Sequence, residues 1–502
     1  MRLQGLRQKS WVVVLATLAG LPWAGLPAAP GRGIAWYPGS VDDAFAAAAK
    51  AQRPVFLYWG AKWCPPCNQL KAWVFSRTDF IDKSRQFVAV YLDGDDPGAQ
   101  HWGERFHVMG YPAVLILRPD GKEVMRITGA LDLASYAQAL DVALADDEPI
   151  ADVLAALRRS SAPPARADCQ RLAYNDWDGS NISAGDLEPM ARQLVSASER
   201  CTSLTQVERA RLLIAAASLL PSADVVRLVI DVVEDPSLSR QLVNALEGLR
   251  EPFFNAVRAR GDEAATRFQT AWVNAMQAAA NDPQVIDSEQ LVALGTQLAG
   301  IKALSHDRAI PADVATAARA RVSAALRRTA DASTRPGLVE GAAYAYEQLG
   351  DLDALYALAK QEMATAKAPY YYMNALGETE EERGHKDEAL MWYGRAYEHA
   401  QGVATRFQWG SEYLAALLRL APADHVRIQM VGAAVIAELD GPERIQARTR
   451  VKLEKLDGRV RKWNAEHQYD ADVDFLRKRM RAVCVKLPQD DTGRPSCEKF
   501  LT

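Results

Sequence analysis

The chain has 502 residues, 49% of them hydrophobic and 24% charged, with a net charge of −4. That length exceeds one ordinary core and predicts about three domains. The near-neutral charge gives no basis for a nucleic-acid partner, and the composition is that of a globular protein rather than a disordered one.

At the N-terminus Arg2, Arg7 and Lys9 precede an apolar run over residues 11–21, and Pro22 leads through small residues to Ala28 and Ala29. The order basic, apolar, small predicts a secretory signal peptide over residues 1–29, with an uncleaved anchor as the alternative. The run is short for a bilayer span, and no later stretch is long and apolar enough for one. The mature chain is therefore expected outside the cytoplasm, periplasmic or otherwise exported. Six cysteines follow: Cys64, Cys67, Cys169, Cys201, Cys484 and Cys497. In an oxidising compartment the last four invite pairing. Joining sequence neighbours, Cys169 to Cys201 and Cys484 to Cys497, is one of three connectivities, and free buried thiols are the alternative.

Residues 30–148 alternate strand and helix. Residues 33–37 read as a short first strand, and Ser40 with Asp42 and Asp43 as the capped start of a helix to about Gln52. Val55-Phe56-Leu57-Tyr58-Trp59 suits a strand buried on both faces. Then comes Trp63-Cys64-Pro65-Pro66-Cys67, followed by Leu70, Trp73 and Val74 at helical spacing. This places Cys64 at a helix N-terminus, where free N–H groups and the helix dipole favour the thiolate that attacks disulfides. Cys67, in the first turn, can resolve the mixed disulfide. Pro65 and Pro66 remove two donors that could have bonded the Cys64 sulfur. A less stabilised thiolate and a disulfide harder to reduce are expected. The rival readings of the pair are a structural disulfide and half of a zinc site; zinc would need two more ligands, and neither a second C-x-x-C nor a well-spaced His pair occurs, so no metal is expected.

A strand over 87–92, an Asp- and Gly-rich loop over 93–98 and a helix through His107 come next. Gly110-Tyr111-Pro112 leads into a strand over 113–117; Pro119-Asp120-Gly121 turns the chain into a hairpin strand over 123–127, and a helix closes at 133–145. The Trp-Cys-x-x-Cys at a strand-to-helix turn, the X-Pro before a later strand and the closing hairpin and helix resemble the thioredoxin fold. Within that family the stretch is most similar to the periplasmic thioredoxin-like domains of disulfide reductases, such as the C-terminal domain of the thiol reductase DsbD. The resemblance implies an α/β fold, a central mixed sheet flanked by helices. It makes Cys64 the attacking and Cys67 the resolving cysteine, with no bound organic cofactor. Pro112 matches the family's cis-proline and Trp63 the tryptophan flanking the site; with Tyr111 they are the candidate substrate contacts, ordinary packing beside a rigid proline being the other reading of Tyr111. Many thioredoxins carry a buried carboxylate six residues before the first cysteine. Here that position is Tyr58, which puts a fast proton relay at Cys67 in question.

Residues 149–168, rich in Pro and Ser around Ser160 and Pro163, read as a linker. Over 169–340 the pattern is helical, with breaks at Pro221, Pro236, Pro252 and Pro311. Over 341–440 Gly350 and Gly384 stand one tetratricopeptide period apart, and Tyr372, Gly377, Ala389, Tyr393 and Ala396 suit such a helix pair, so a stacked helical repeat is expected. The aromatics Tyr370 to Tyr372, Trp392 and Tyr393 read as core. Residues 441–502 read as charged C-terminal helices with a solvated face. The segment from Asp176 to Asn181 lacks the glycine and glutamate of a calcium loop and reads as a turn; Asn181-Ile182-Ser183 is a glycosylation sequon.

Together these features predict an exported thiol-disulfide oxidoreductase, reductase or isomerase. It would act on protein disulfides, draw on an external thiol electron donor, and use its repeats to hold a partner or substrate protein. The alternative is a non-catalytic adaptor or assembly factor in which the repeats do the work.

Overall fold

The computed structural model describes residues 33–96, 98–128, 133–177, 182–183, 185–328 and 334–502. The signal-peptide reading of residues 1–29 and the sequon's Asn181 lie outside them.

The first unit is a four-stranded mixed sheet with helices on both faces. Its strands are β1 (Val55–Gly60), β2 (Val88–Asp93), β3 (Ala113–Leu117) and β4 (Glu123–Thr128), in the order β2-β1-β3-β4. β1 runs parallel to β2 and antiparallel to β3, and β3 and β4 form an antiparallel hairpin. The helices are α1 (Val41–Ala51), α2 (Pro65–Leu70, continued by a π-helical turn over Lys71–Phe75), α3 (Thr78–Ser84), α4 (Ala99–Phe106) and α5 (Leu133–Ala145). α1 opens with a capping box between Ser40 and Asp43.

Side-chain alternation along β1 builds two cores. Phe56 and Tyr58 pack with Phe75, Phe80 and Tyr136, while Val55, Leu57 and Trp59 pack with Phe45 and Phe106. All six β1 residues are buried, as a central strand covered on both faces requires. Residues 33–37 differ from the expected strand: they contribute a single bridge, Trp36 to Ala89, after which Pro38 and Gly39 turn the chain away.

The stretch read as a linker is structured. Helix Ile150–Arg159 follows Pro149, and helix Arg166–Tyr174 begins beyond Pro163 and Pro164. Both close on the sheet unit. The buried Arg171 pairs with Asp168 at 3.0 Å and Asp146 at 3.4 Å. At the β4 edge, the Arg126 N–H donates to Asn175 Oδ1 (2.9 Å) and the Asp176 N–H to the Arg126 carbonyl (2.8 Å), so two backbone groups that an edge strand would leave open are bonded.

From there to the C-terminus every described element is helical. Pro236 and Pro252 sit in first helical turns, where a missing N–H costs nothing. Successive helices pair: Arg335–Leu349 with Leu352–Met363, Pro369–Glu382 with Lys386–His399, and Val403–Leu420 with His425–Ala437. Gly350 and Gly384 turn the chain at positive φ (63° and 80°). Close approach also needs glycine at Gly377, where a Cβ would stand 3.0 Å from the Tyr393 ring. The C-terminal helices Ala447–His467 and Asp470–Cys484 share one apolar core with residues from Ala389 onward.

Three disulfides are present: Cys64–Cys67, Cys169–Cys201 and Cys484–Cys497. The second and third close separations of 32 and 13 residues. On the chain-entropy account they are worth about 4 and about 3 kcal/mol.

Candidate redox site

The strand-to-helix turn after β1 makes Cys64 the N-cap of α2. Pro65 and Pro66 hold the first two helical positions, so the only N–H of that turn reaching sulfur is that of Cys67, which donates to Cys64 Sγ at 3.2 Å. The cysteines form a disulfide with their Cα atoms 5.2 Å apart.

Beneath the pair, Tyr58 stands on β1 in place of a carboxylate. Its hydroxyl donates to the Cys67 carbonyl at 3.4 Å, and burial pushes it well above the ordinary phenol range. Its ring stacks on Tyr91 (5.3 Å), and the Lys71 ammonium lies over both rings. Burial lowers the Lys71 pKa. Tyr91 donates to the buried Asp93 at 3.3 Å, and Lys62 pairs with Asp93 at 3.4 Å. The polar groups under the cysteines are thus a tyrosine pair and a lysine, with the carboxylate displaced to the end of β2.

Trp63 and Tyr111 close one side of the site. The Trp63 indole N–H donates to Asp95 Oδ2 at 2.7 Å, and its ring meets Tyr111 edge-on at 5.9 Å. Tyr111 stacks on Trp59 and accepts from Gln100 at 3.0 Å. Its hydroxyl lies where Gly94 leaves space: a Cβ there would stand 1.9 Å away. The Tyr111-Pro112 peptide bond is cis.

The helical region covers this face. Asp95 Oδ1 accepts from Thr405 at 2.7 Å, joining the loop after β2 to helix Val403–Leu420. Gly402, at φ 81°, fits directly against Asp95, where a Cβ would approach its carboxylate to 2.5 Å. The Tyr370 and Tyr371 rings each lie 6.4 Å from Trp63. Arg448 sits 4.5 Å over Tyr111, and Arg450 makes a two-pronged ion pair with Glu104 on α4 at 2.7 and 2.8 Å. Cys64 is 3% exposed and Cys67 0%.

Of the expected substrate contacts, Trp63 and Tyr111 are therefore packed between the sheet unit and the helices. Pro112 instead lines a cavity of about 890 Å³ between α2 and helices of the second region. Tyr371 and Tyr372, read from sequence as core, also line it, whereas Tyr370, Trp392 and Tyr393 are buried. The charged C-terminal helix, read as a solvated face, supplies Arg448 and Arg450 to the contact. Sequence reasoning had no signal for Asp95, Thr405, Arg448 or Arg450, whose partners lie hundreds of residues away. Cys169, Cys201, Cys484 and Cys497 are in the other two disulfides, remote in sequence from the pair. Among the described residues no cluster of His, Cys, Asp and Glu is placed to hold a metal ion, and no helix is long and apolar enough to cross a membrane.

Residues 41–144 match the family model of a thioredoxin-like domain. The chain is 31% identical over 127 residues to a thiol:disulfide interchange protein DsbD 1 of Pseudomonas aeruginosa, covering 23% of this chain and 21% of that protein. It is 30% identical over 96 residues to the DsbD of Pseudoalteromonas atlantica, covering 18% and 16%. The chain thus spans about a fifth or less of the length of these relatives. Among solved structures, a thioredoxin from Thermus thermophilus aligns at 29% identity over 22% of this chain and 85% of its own, with a TM-score of 0.20. Residues 41–144 are a thioredoxin-like domain similar to those of DsbD proteins, and every described element after it is helical.

Proposed function

We propose that the chain is an exported thiol-disulfide oxidoreductase working on protein disulfides in the reducing or isomerising direction. The observation that carries this is the Cys64–Cys67 pair at the start of α2 within a DsbD-like thioredoxin domain. In the reduced enzyme the Cys64 thiolate attacks one sulfur of a substrate disulfide, and the other substrate sulfur leaves as a thiolate that takes up a proton. Cys67, once deprotonated, attacks Cys64 Sγ and releases the second substrate sulfur. The substrate gains two electrons and two protons, and the enzyme is left with the Cys64–Cys67 disulfide. An external dithiol donor restores the thiols, and no organic cofactor is needed. The direction follows from the prolines: with one N–H on the Cys64 sulfur, the thiolate form gains less than in strongly oxidising members of this motif class.

The helical region, in this reading, governs which proteins reach the pair. Trapping tests it. Cys67→Ser should accumulate a mixed disulfide with substrate protein through Cys64, and Cys64→Ser should accumulate none and lose reduction of an insulin disulfide by at least about a hundredfold. Full reduction by Cys64→Ser would overturn the proposal. A second reading, a non-catalytic adaptor, is favoured by the burial of both sulfurs under the helices; it requires that Cys64→Ser restore function in a null strain.

A further inference from the structure

The cavity beside Pro112 is lined on its sheet-unit side by Pro112 and by Gln69 of α2. At about 890 Å³ it falls within the roughly 300–1,000 Å³ of ordinary ligand sites. Its far wall is acidic. Glu247, Glu340, Glu347, Glu378 and Glu382 line it against one arginine, Arg250, and none of the five carboxylates has an ion-pair partner within 4 Å among the described residues. Arg250 acts on Glu247, and Lys302 on Glu347, only at longer range.

Glu340 is the least compensated of these. It is partly buried, lines the cavity, and its carboxylate has neither a hydrogen bond nor an ion pair among the described residues. Burial and the nearby Glu247 push its carboxyl up to about 7. Glu378, which accepts a hydrogen bond from Asn374 at 2.9 Å, is exposed at the cavity's rim. Glu347, Glu378 and Glu382 are exposed and water-screened, whereas Glu247 and Glu340 are partly buried near one another, and a cationic group seated between the five would offset their mutual repulsion. Tyr344, Tyr371 and Tyr372 add aromatic rings to the same wall, the second component of sites for lysine and arginine side chains.

We propose that this cavity binds a basic segment of a polypeptide, seating Lys or Arg side chains against Glu340 and Glu378 while the segment runs past Pro112. The proposal rests on the reading of Cys64–Cys67 as the exchanging pair, and it adds the substrate's chemistry: proteins whose disulfide is flanked by basic residues.

The test uses the full-length oxidised chain and cysteine-free tetrapeptides, which cannot exchange disulfides with it, so it succeeds or fails independently of the redox reading. Calorimetric titration with a peptide carrying two lysines and an arginine should show binding at least about tenfold tighter than a serine peptide, with no detectable binding of a glutamate peptide. The Glu340→Gln/Glu378→Gln variant, checked for an unchanged circular dichroism spectrum, should lose the preference. Equal binding of basic and serine peptides by the unmodified chain, a comparison that needs no variant, would overturn the proposal. So would spermidine binding without peptide binding, which would make the cavity a site for a free small cation.

Discussion

Glu340 shows how a single side chain reports on the cavity. Its ordinary pKa is 4.5, and in the folded chain burial raises it to about 7. Between those values the native state holds a proton that the unfolded chain has released. Stability contributed by this residue is therefore full below about pH 4.5 and falls as the pH rises toward 7. The urea midpoint of the wild type should decline across that window more steeply than that of Glu340→Gln, which has nothing to ionise. Parallel curves would show that the carboxyl is not held in a desolvating wall. Legibility at this scale was uneven. Cys64 and Cys67 stand out because their chemistry follows from local spacing, whereas Glu340 is one of two glutamates on helix Arg335–Leu349, and only packing shows that it lines a cavity.

At the scale of elements, α2 is the informative one. Its first two positions are prolines and its N-cap is Cys64, so helix-terminus stabilisation of the sulfur is reduced to the Cys67 N–H. The rate of iodoacetamide alkylation of the reduced chain, followed against pH, should give a Cys64 pKa well above the low extreme of about 3.5. A value near 3.5 would contradict the assignment of direction. β1 and α5 could be read from sequence because each carries an unbroken apolar run or an apolar stripe of several turns. α3, seven residues whose buried apolar side chains are Phe80 and Ile81, is too short to show a period. In residues 149–168 the prolines misled in the other direction, since Pro149, Pro163 and Pro164 lie outside the helices they flank.

At the scale of the molecule, the helical region is a cover over the redox face. The contacts that hold it there join residues 310 and 346 positions apart, Asp95 to Thr405 and Glu104 to Arg450, and no local pattern announces them. Thr405→Val combined with Arg450→Ala removes hydrogen bonds to charged groups on both sides of the site. The reduced double variant should be alkylated at Cys64 about tenfold or more faster than the wild type, and equal rates would mean that the cover does not limit access. The most direct test of the account is the reduction potential of the Cys64–Cys67 pair, measured by equilibration against glutathione with the other two disulfides mapped by mass spectrometry. A reducing pair, near the value of about −270 mV known for thioredoxin, is the predicted result. A potential near −120 mV would make the pair an oxidant and contradict the account.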